Sequence, residues 1–403
     1  MAPARIRPEQ LPDHLPVTGT IWLHASSGDS TVLRGGLLQA GQDLSGLTFT
    51  GIFVPGLNPM APLLQAGARF RTYFMLPEML AHPGQVDFLP LPYRDIRRDL
   101  ALNPPQAALF MVSPPDASGQ CSFGPVNDFL ADIWESIPIR IAHVNPRLPR
   151  TQGRSIPFDA LTAVIEADGE LPESDPGTDA TSQTIAGLAA EIIPHGATVQ
   201  AGLGRVPEAV LRGLTSHRDL AIHSGLIGDS TLNLLEAGAL RARAPITAGV
   251  AIGTRRLYDA ASDPAFRFAP PSVTHDLRTI AAIDRFVTVN SAIEVDLAGQ
   301  AYAEATPKGY LSGPGGASDF AAGARGLDGL RIVALPATAA KGTVSRIVGM
   351  GAATGPVSLG RFDIDVVITE FGRADLRGLG HEGRRAALIA IAAPEHRDAL
   401  ARG

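Results

Sequence analysis

Gln200-Ala-Gly-Leu-Gly-Arg-Val-Pro-Glu-Ala-Val210 sets two glycines between an apolar run and a helical pattern. Glycines let a backbone turn tightly and approach a ligand, and the N–H groups exposed at a helix start favour an anion or a developing oxyanion. Gly202, Leu203, Gly204, Arg205 and Val206 are therefore candidates for ligand binding, with Arg205 as a clamp for a carboxylate or phosphate. A plain strand-to-helix turn and a solvated arginine would use the same letters. Ser312-Gly-Pro-Gly-Gly-Ala-Ser-Asp-Phe320 gathers Gly313, Gly315 and Gly316, more glycine than a turn needs, while Pro314 removes one N–H from the loop. Glu370 ends an apolar run, where a carboxylate could orient a water or a basic group, or enter a buried ion pair with Arg205, Arg373 or Arg377. In His223-Ser-Gly-Leu-Ile-Gly-Asp229, Gly225 follows a strand closely and Asp229 is a second candidate for holding water. Ligands of parallel α/β sheets gather beyond the carboxyl ends of the strands, so Gly225 stands where a reactive group would be useful. Glycine has no side chain to react.

The elements that must position these residues are short. Thr20–His24, Leu47–Val54, Ala107–Val112 and Ile139–Val144 read as buried strands bounded by Gly, Pro or Asp. A second series follows, with strands expected at Thr198–Ala201, Leu220–His223, Val287–Asn290, Arg331–Leu335 and Val366–Thr369. Helices are expected at Val206–Leu214, where Pro207 fits the first turn, and at Thr231–Ala239. Alternating strands and helices imply α/β domains, each with a largely parallel sheet covered by helices. Asp168–Asp179 is polar, acidic and proline-bearing, the composition of a surface linker, which places domains at 1–175 and 176–403.

Composition narrows the function classes. At 403 residues, the chain suits two domains better than one core. Its 40 acidic and 34 basic residues give a net charge of -6 with no basic block to track a phosphate backbone, so nucleic acid is not an expected partner. No apolar stretch is long enough to span a bilayer, and the first residues lack the apolar core of a secretory signal. The single cysteine, Cys121, cannot form an internal disulfide and is expected to be a bland buried thiol; a cytoplasmic location is expected. The 10 histidines show no metal-ligand spacing, so no metal is expected and each histidine is expected to be structural or exposed.

Over about residues 100 to 400, and more loosely before them, the chain resembles the acetyl-CoA hydrolase/transferase family, 4-hydroxybutyrate CoA-transferase-like members of the class I CoA-transferases. The stretch 200–210 is similar to the family's Gly-Ile-Gly-x-Ile-Pro-x-Ala-Val loop, which contacts CoA. Val289-Asn-Ser-Ala-Ile-Glu-Val-Asp-Leu-Ala-Gly-Gln300 is similar to a motif whose asparagine lies at the CoA site, and Ser312–Phe320 to a loop whose amides face the thioester. Thr369-Glu-Phe-Gly-Arg-Ala-Asp-Leu-Arg-Gly378 resembles Thr-Glu-x-Gly-x-Ala-Asp-Leu-Arg-Gly. The resemblance implies CoA as substrate or product rather than as a resident cofactor, Asn290 as a CoA-binding residue, and a homodimer or larger homo-oligomer. Glu294, in the same motif as Asn290, is expected to serve a polar network. Val112–Gly124 and His143–Gly153 also follow the family and are expected to border the acyl pocket.

At 223–225 the family reads His/Tyr-Thr-Glu, and that glutamate carries CoA as a thioester; here Gly225 takes its place. Loss of a covalent catalyst costs on the order of 10⁴ to 10⁶ in rate, which sets the usual transfer route in doubt. Three functions follow: hydrolysis or related chemistry on a small or medium acyl-CoA, transfer to a small carboxylate through a substitute residue, and acyl-CoA binding without catalysis. Removal of the glutamate is expected to leave room beside the thioester, and Gly225→Glu to restore a CoA adduct.

Overall fold

Apolar runs punctuated by Gly, Pro and Asp become buried strands, and the alternation with helices makes most of their pairing parallel. The structure is a computed structural model and describes residues 2–39 and 43–402. Its chain divides into two compact units: one runs to Ser174 and regains Thr247–Thr274, and the other holds Asp175–Ile246 and the chain from His275 onward.

In the first unit, β1 (Ala4–Arg5), β2 (Gly19–Leu23), β3 (Leu47–Thr50), β4 (Arg69–Thr72), β5 (Val86–Phe88), β6 (Ala107–Val112), β7 (Ile139–Val144) and β8 (Ala163–Glu166) form one sheet. Its order is β1-β8-β7-β6-β2-β3-β4-β5, and every pairing is parallel. β6 is buried along its whole length, and Phe110 packs on Phe123 at 5.8 Å between ring centres. The expected strand over 47–54 stops at Thr50. Beyond it the Asn58 side chain accepts from the Val54 and Ser26 N–H groups, both at 2.9 Å, and turns that stretch into a loop.

The second unit contains β9 (Thr198–Ala201), β10 (Ala221–Ile227), β11 (Phe286–Asn290), β12 (Leu330–Ala334), β13 (Val366–Thr369) and β14 (Gly372–Asp375), adjacent in the order β10-β9-β11-β12-β13-β14. All are parallel except β14, which turns back on β13. Helices α1 (Arg205–Gly213), α2 (Asp229–Glu236) and α3 (Ala317–Gly323) follow β9, β10 and the 312–316 loop. β10 runs four residues past its expected end at His223, so Gly225 lies within the strand.

The chain changes unit between Ser174 and Asp175, whereas 247–274, expected in the second domain, belongs with the first unit. Within that unit Asn127 N–H donates to Gly249 O at 2.9 Å and Ala251 N–H to Pro125 O at 2.8 Å. Among the described residues no helix is long and apolar enough to cross a membrane.

Candidate functional site

The motifs at 200–206, 223–229 and 289–290 meet at the carboxyl ends of β9, β10 and β11, whereas Glu370 follows β13. Gly202 N–H donates to Val289 O at 2.9 Å, and a Cβ built on Gly202 would stand 3.2 Å from Asn290 Oδ1. Asn290 and Gln200 exchange two side-chain amide bonds of 3.3 Å, both residues being buried. Beside them Ser224 Oγ donates to Ala201 O at 3.1 Å, tying the residue before Gly225 to the start of the glycine loop. Gly204 adopts φ 116°, a conformation suited to glycine, and opens α1. Leu203 is exposed and Val206 is buried.

Arg205 is an exposed, paired side chain. It donates to Pro176 O at 3.0 Å and meets Asp179 at 2.6 Å, which fastens the linker to the head of α1. The ion pairs considered for Glu370 are made elsewhere: Arg205 with Asp179, Arg373 with Glu191 at 2.7 Å, and Arg377 with Asp375 at 2.6 Å. Glu370 instead accepts from Ala337 N–H at 2.8 Å, fixing the loop after β12, and its charge reaches the half-buried Arg346. Glu294 accepts from Thr354 N–H at 2.7 Å and faces the same arginine. Asp229 begins α2, where a carboxylate complements the helix dipole. Near it Glu208 accepts from Ser230 N–H at 2.7 Å, and burial raises its carboxyl above the usual range.

The space next to Gly225 is filled. A Cβ on Gly225 would lie 2.8 Å from both Cε1 and Nε2 of His275, closer than real Cβ atoms approach, and 3.5 Å from Phe320. The same ring edge abuts Gly316, whose Cβ would meet His275 Nε2 at 2.3 Å. Gly313 and Gly315, the latter at φ 60°, shape the loop that delivers Gly316. Phe320 of α3 packs its ring 4.6 Å from that of His275, and Phe286 closes the apolar floor. His275 is 5% exposed. Burial, helped by the adjacent His223, lowers its pKa to about 3, so the imidazole is neutral at physiological pH. The expected room beside residue 225 is thus occupied by the ring of His275, one of the histidines expected to be structural or exposed. No spacing signal joins positions 225 and 275; the fold alone brings them together.

The first unit carries its own buried polar set after β2. Ser30 Oγ lies 2.9 Å from His143 Nδ1, and His143 Nε2 lies 2.9 Å from Ala167 O. Burial raises Asp128 to about 7 and lowers His24 to about 3, so their 3.6 Å contact is not a fixed ion pair. Of the segments expected to border an acyl pocket, 112–124 is braced by Ser113 and Asp116, which accept from the Ser122 and Gln120 N–H groups, and 143–153 by Asn145, whose amide reaches Gly169 O at 2.8 Å. Cys121 is buried and its thiol is pushed up to about 11. Among the described residues no cluster of three or more His, Cys, Asp or Glu could hold a metal ion.

Residues 253–403 match the acetyl-CoA hydrolase/transferase C-terminal domain. Over 307 residues the chain is 36% identical to a 4-hydroxybutyrate coenzyme A transferase of Clostridium kluyveri, covering 74% of this chain and 72% of that protein. The chain belongs to the acetyl-CoA hydrolase/transferase family. RipA from Yersinia pestis superimposes on this family member with a TM-score of 0.89 at 26% identity, over 99% of this chain and 96% of that one. A 4-hydroxybutyrate CoA-transferase from Porphyromonas gingivalis gives 0.81 at 29% identity, again over 99% and 96%. The family comprises acyl-CoA hydrolases and CoA-transferases, and the two-unit α/β architecture with parallel sheets is shared with these structures.

Proposed function

We propose that this enzyme acts on the thioester of a small or medium acyl-CoA without forming a glutamyl-CoA intermediate, and that its reaction is hydrolysis. One observation carries the reading: residue 225 offers no side chain, and the imidazole of His275 lies where one would begin. The water oxygen bonds to the acyl carbon, the C–S bond breaks, and CoA leaves as the thiolate. One proton of the water passes to the sulfur and the second to solvent, giving the carboxylate and free CoA. The glycine loops at 202–206 and 313–316 would face the developing oxyanion with backbone N–H groups. Gly202 and Asn290 would hold CoA; Asp229, at the head of α2 after β10, is kept as the carboxylate that orients water, and Glu370 is read as a support for the Ala337 N–H. In this reading the protein works in the cytoplasm as a homodimer or larger assembly, with no nucleic-acid or membrane partner.

A steady-state assay with acetyl-CoA, run with and without an acceptor carboxylate, tests this. Release of CoA without acceptor is the expected result. Formation of a new acyl-CoA that depends on the acceptor would replace hydrolysis by transfer, and tight binding without turnover would leave an acyl-CoA-binding protein.

A further inference from the structure

Gly225 and Gly316 belong to different elements, β10 and the loop before α3, yet both lack a Cβ where the same imidazole edge passes. Such a slot accepts a ring only if both walls are glycine. The ring is not an exposed rotor that could swing away. It is 5% exposed, Phe320 covers it at 4.6 Å, and the next residue, Asp276, anchors the backbone by accepting from Thr279 N–H at 2.9 Å. Close-packed interiors tolerate an added atom only when a neighbour can yield, and here the neighbour is held on several sides.

We propose that His275 is the residue that determines the chemistry open to this site: its imidazole keeps position 225 free of any side chain and so excludes an enzyme carboxylate from the thioester. This rests on the reading of the site as an acyl-CoA site. Two glycines and one histidine then act as a set. A carboxylate cannot be regained by changing residue 225 alone, because its Cβ would enter the ring before its oxygens reached the substrate. The neutral ring adds no charge that would draw a carboxylate in.

The test combines a stability cycle with a covalent readout. Gly225→Ala should lower the melting temperature by several degrees in the wild-type background and by little or nothing in His275→Ala, since the clash is then gone. An equal loss in both backgrounds would overturn the proposal. Gly225→Glu and the double variant Gly225→Glu/His275→Gly are then incubated with acetyl-CoA and their intact masses compared. In a competent site the introduced carboxylate attacks the thioester carbonyl and CoA leaves as thiolate. The thiolate then attacks the enzyme-side carbonyl of the mixed anhydride, releasing acetate and leaving CoA on the protein. The adduct is expected in the double variant only. Its appearance in Gly225→Glu alone would overturn the proposal, and so would its absence from both, because something other than His275 would then close the route. Turnover by the wild type is measured alongside. Its absence would remove the hydrolase reading, while the melting cycle would still decide the role of His275.

Discussion

Gln200 and Asn290 face each other across neighbouring parallel strands and satisfy one another through two amide bonds of 3.3 Å. The exchange turns the Asn290 side chain toward Gly202 and leaves the glycine loop resting on it. A buried amide that loses its partner costs about 1–3 kcal/mol. Asn290→Ala and Gln200→Ala should therefore both destabilise the protein by roughly that amount, read from denaturant midpoints. Asn290→Ala should in addition raise KM for acyl-CoA; equal KM values for the two variants would show that Asn290 only supports the loop.

Arg205 tests the glycine loop differently. Its pair with Asp179 is about half exposed on both sides, at 54% and 47%, and exposed pairs contribute about 0.2–1 kcal/mol. Arg205→Ala should shift the unfolding midpoint slightly and leave KM for acyl-CoA nearly unchanged. A large rise in KM would show that the side chain leaves Asp179 to grip the substrate.

Glu370 is expected to behave as a support. Glu370→Gln keeps an acceptor for the Ala337 N–H and should retain turnover, whereas Glu370→Ala orphans that N–H at a cost of about 1–3 kcal/mol. A collapse of kcat in Glu370→Gln with stability intact would make it a catalytic carboxylate.

The pH dependence of stability carries, at His275, the sign of an imidazole buried in its neutral form. Its pKa falls from 6.5 when exposed to about 3 in the fold, so its contribution is complete above 6.5 and is lost as pH falls toward 3. His24 follows the same course, while burial raises Asp29 to about 6 and Asp128 to about 7 and makes both favour the fold at lower pH. These terms partly cancel in the wild type but are common to a His275 variant. Melting curves of wild type and His275→Gln between pH 7.5 and 4 should therefore converge or cross in favour of the variant as pH falls. Parallel curves would show that the ring takes up its proton without penalty.

Much of this fold was legible in the chain. Thr198–Ala201 and Val366–Thr369 are short apolar runs closed by turn residues, and they form strands over the expected residues. The glycines at 202, 204, 313, 315 and 316 announced loops, since local backbone chemistry leaves a local signature. The sequence alone also determined that position 225 has nothing to react, because a missing side chain is missing in any fold. What it could not determine were partners set by packing. Arg205 found Asp179, Glu370 found Ala337, and 247–274 joined the first unit through bonds to distant residues. The space beside Gly225 was decided in the same way. Only the packing of β10, the 312–316 loop and the segment after Thr274 puts the ring of His275 against both glycines, and no periodicity encodes a contact between residues fifty positions apart.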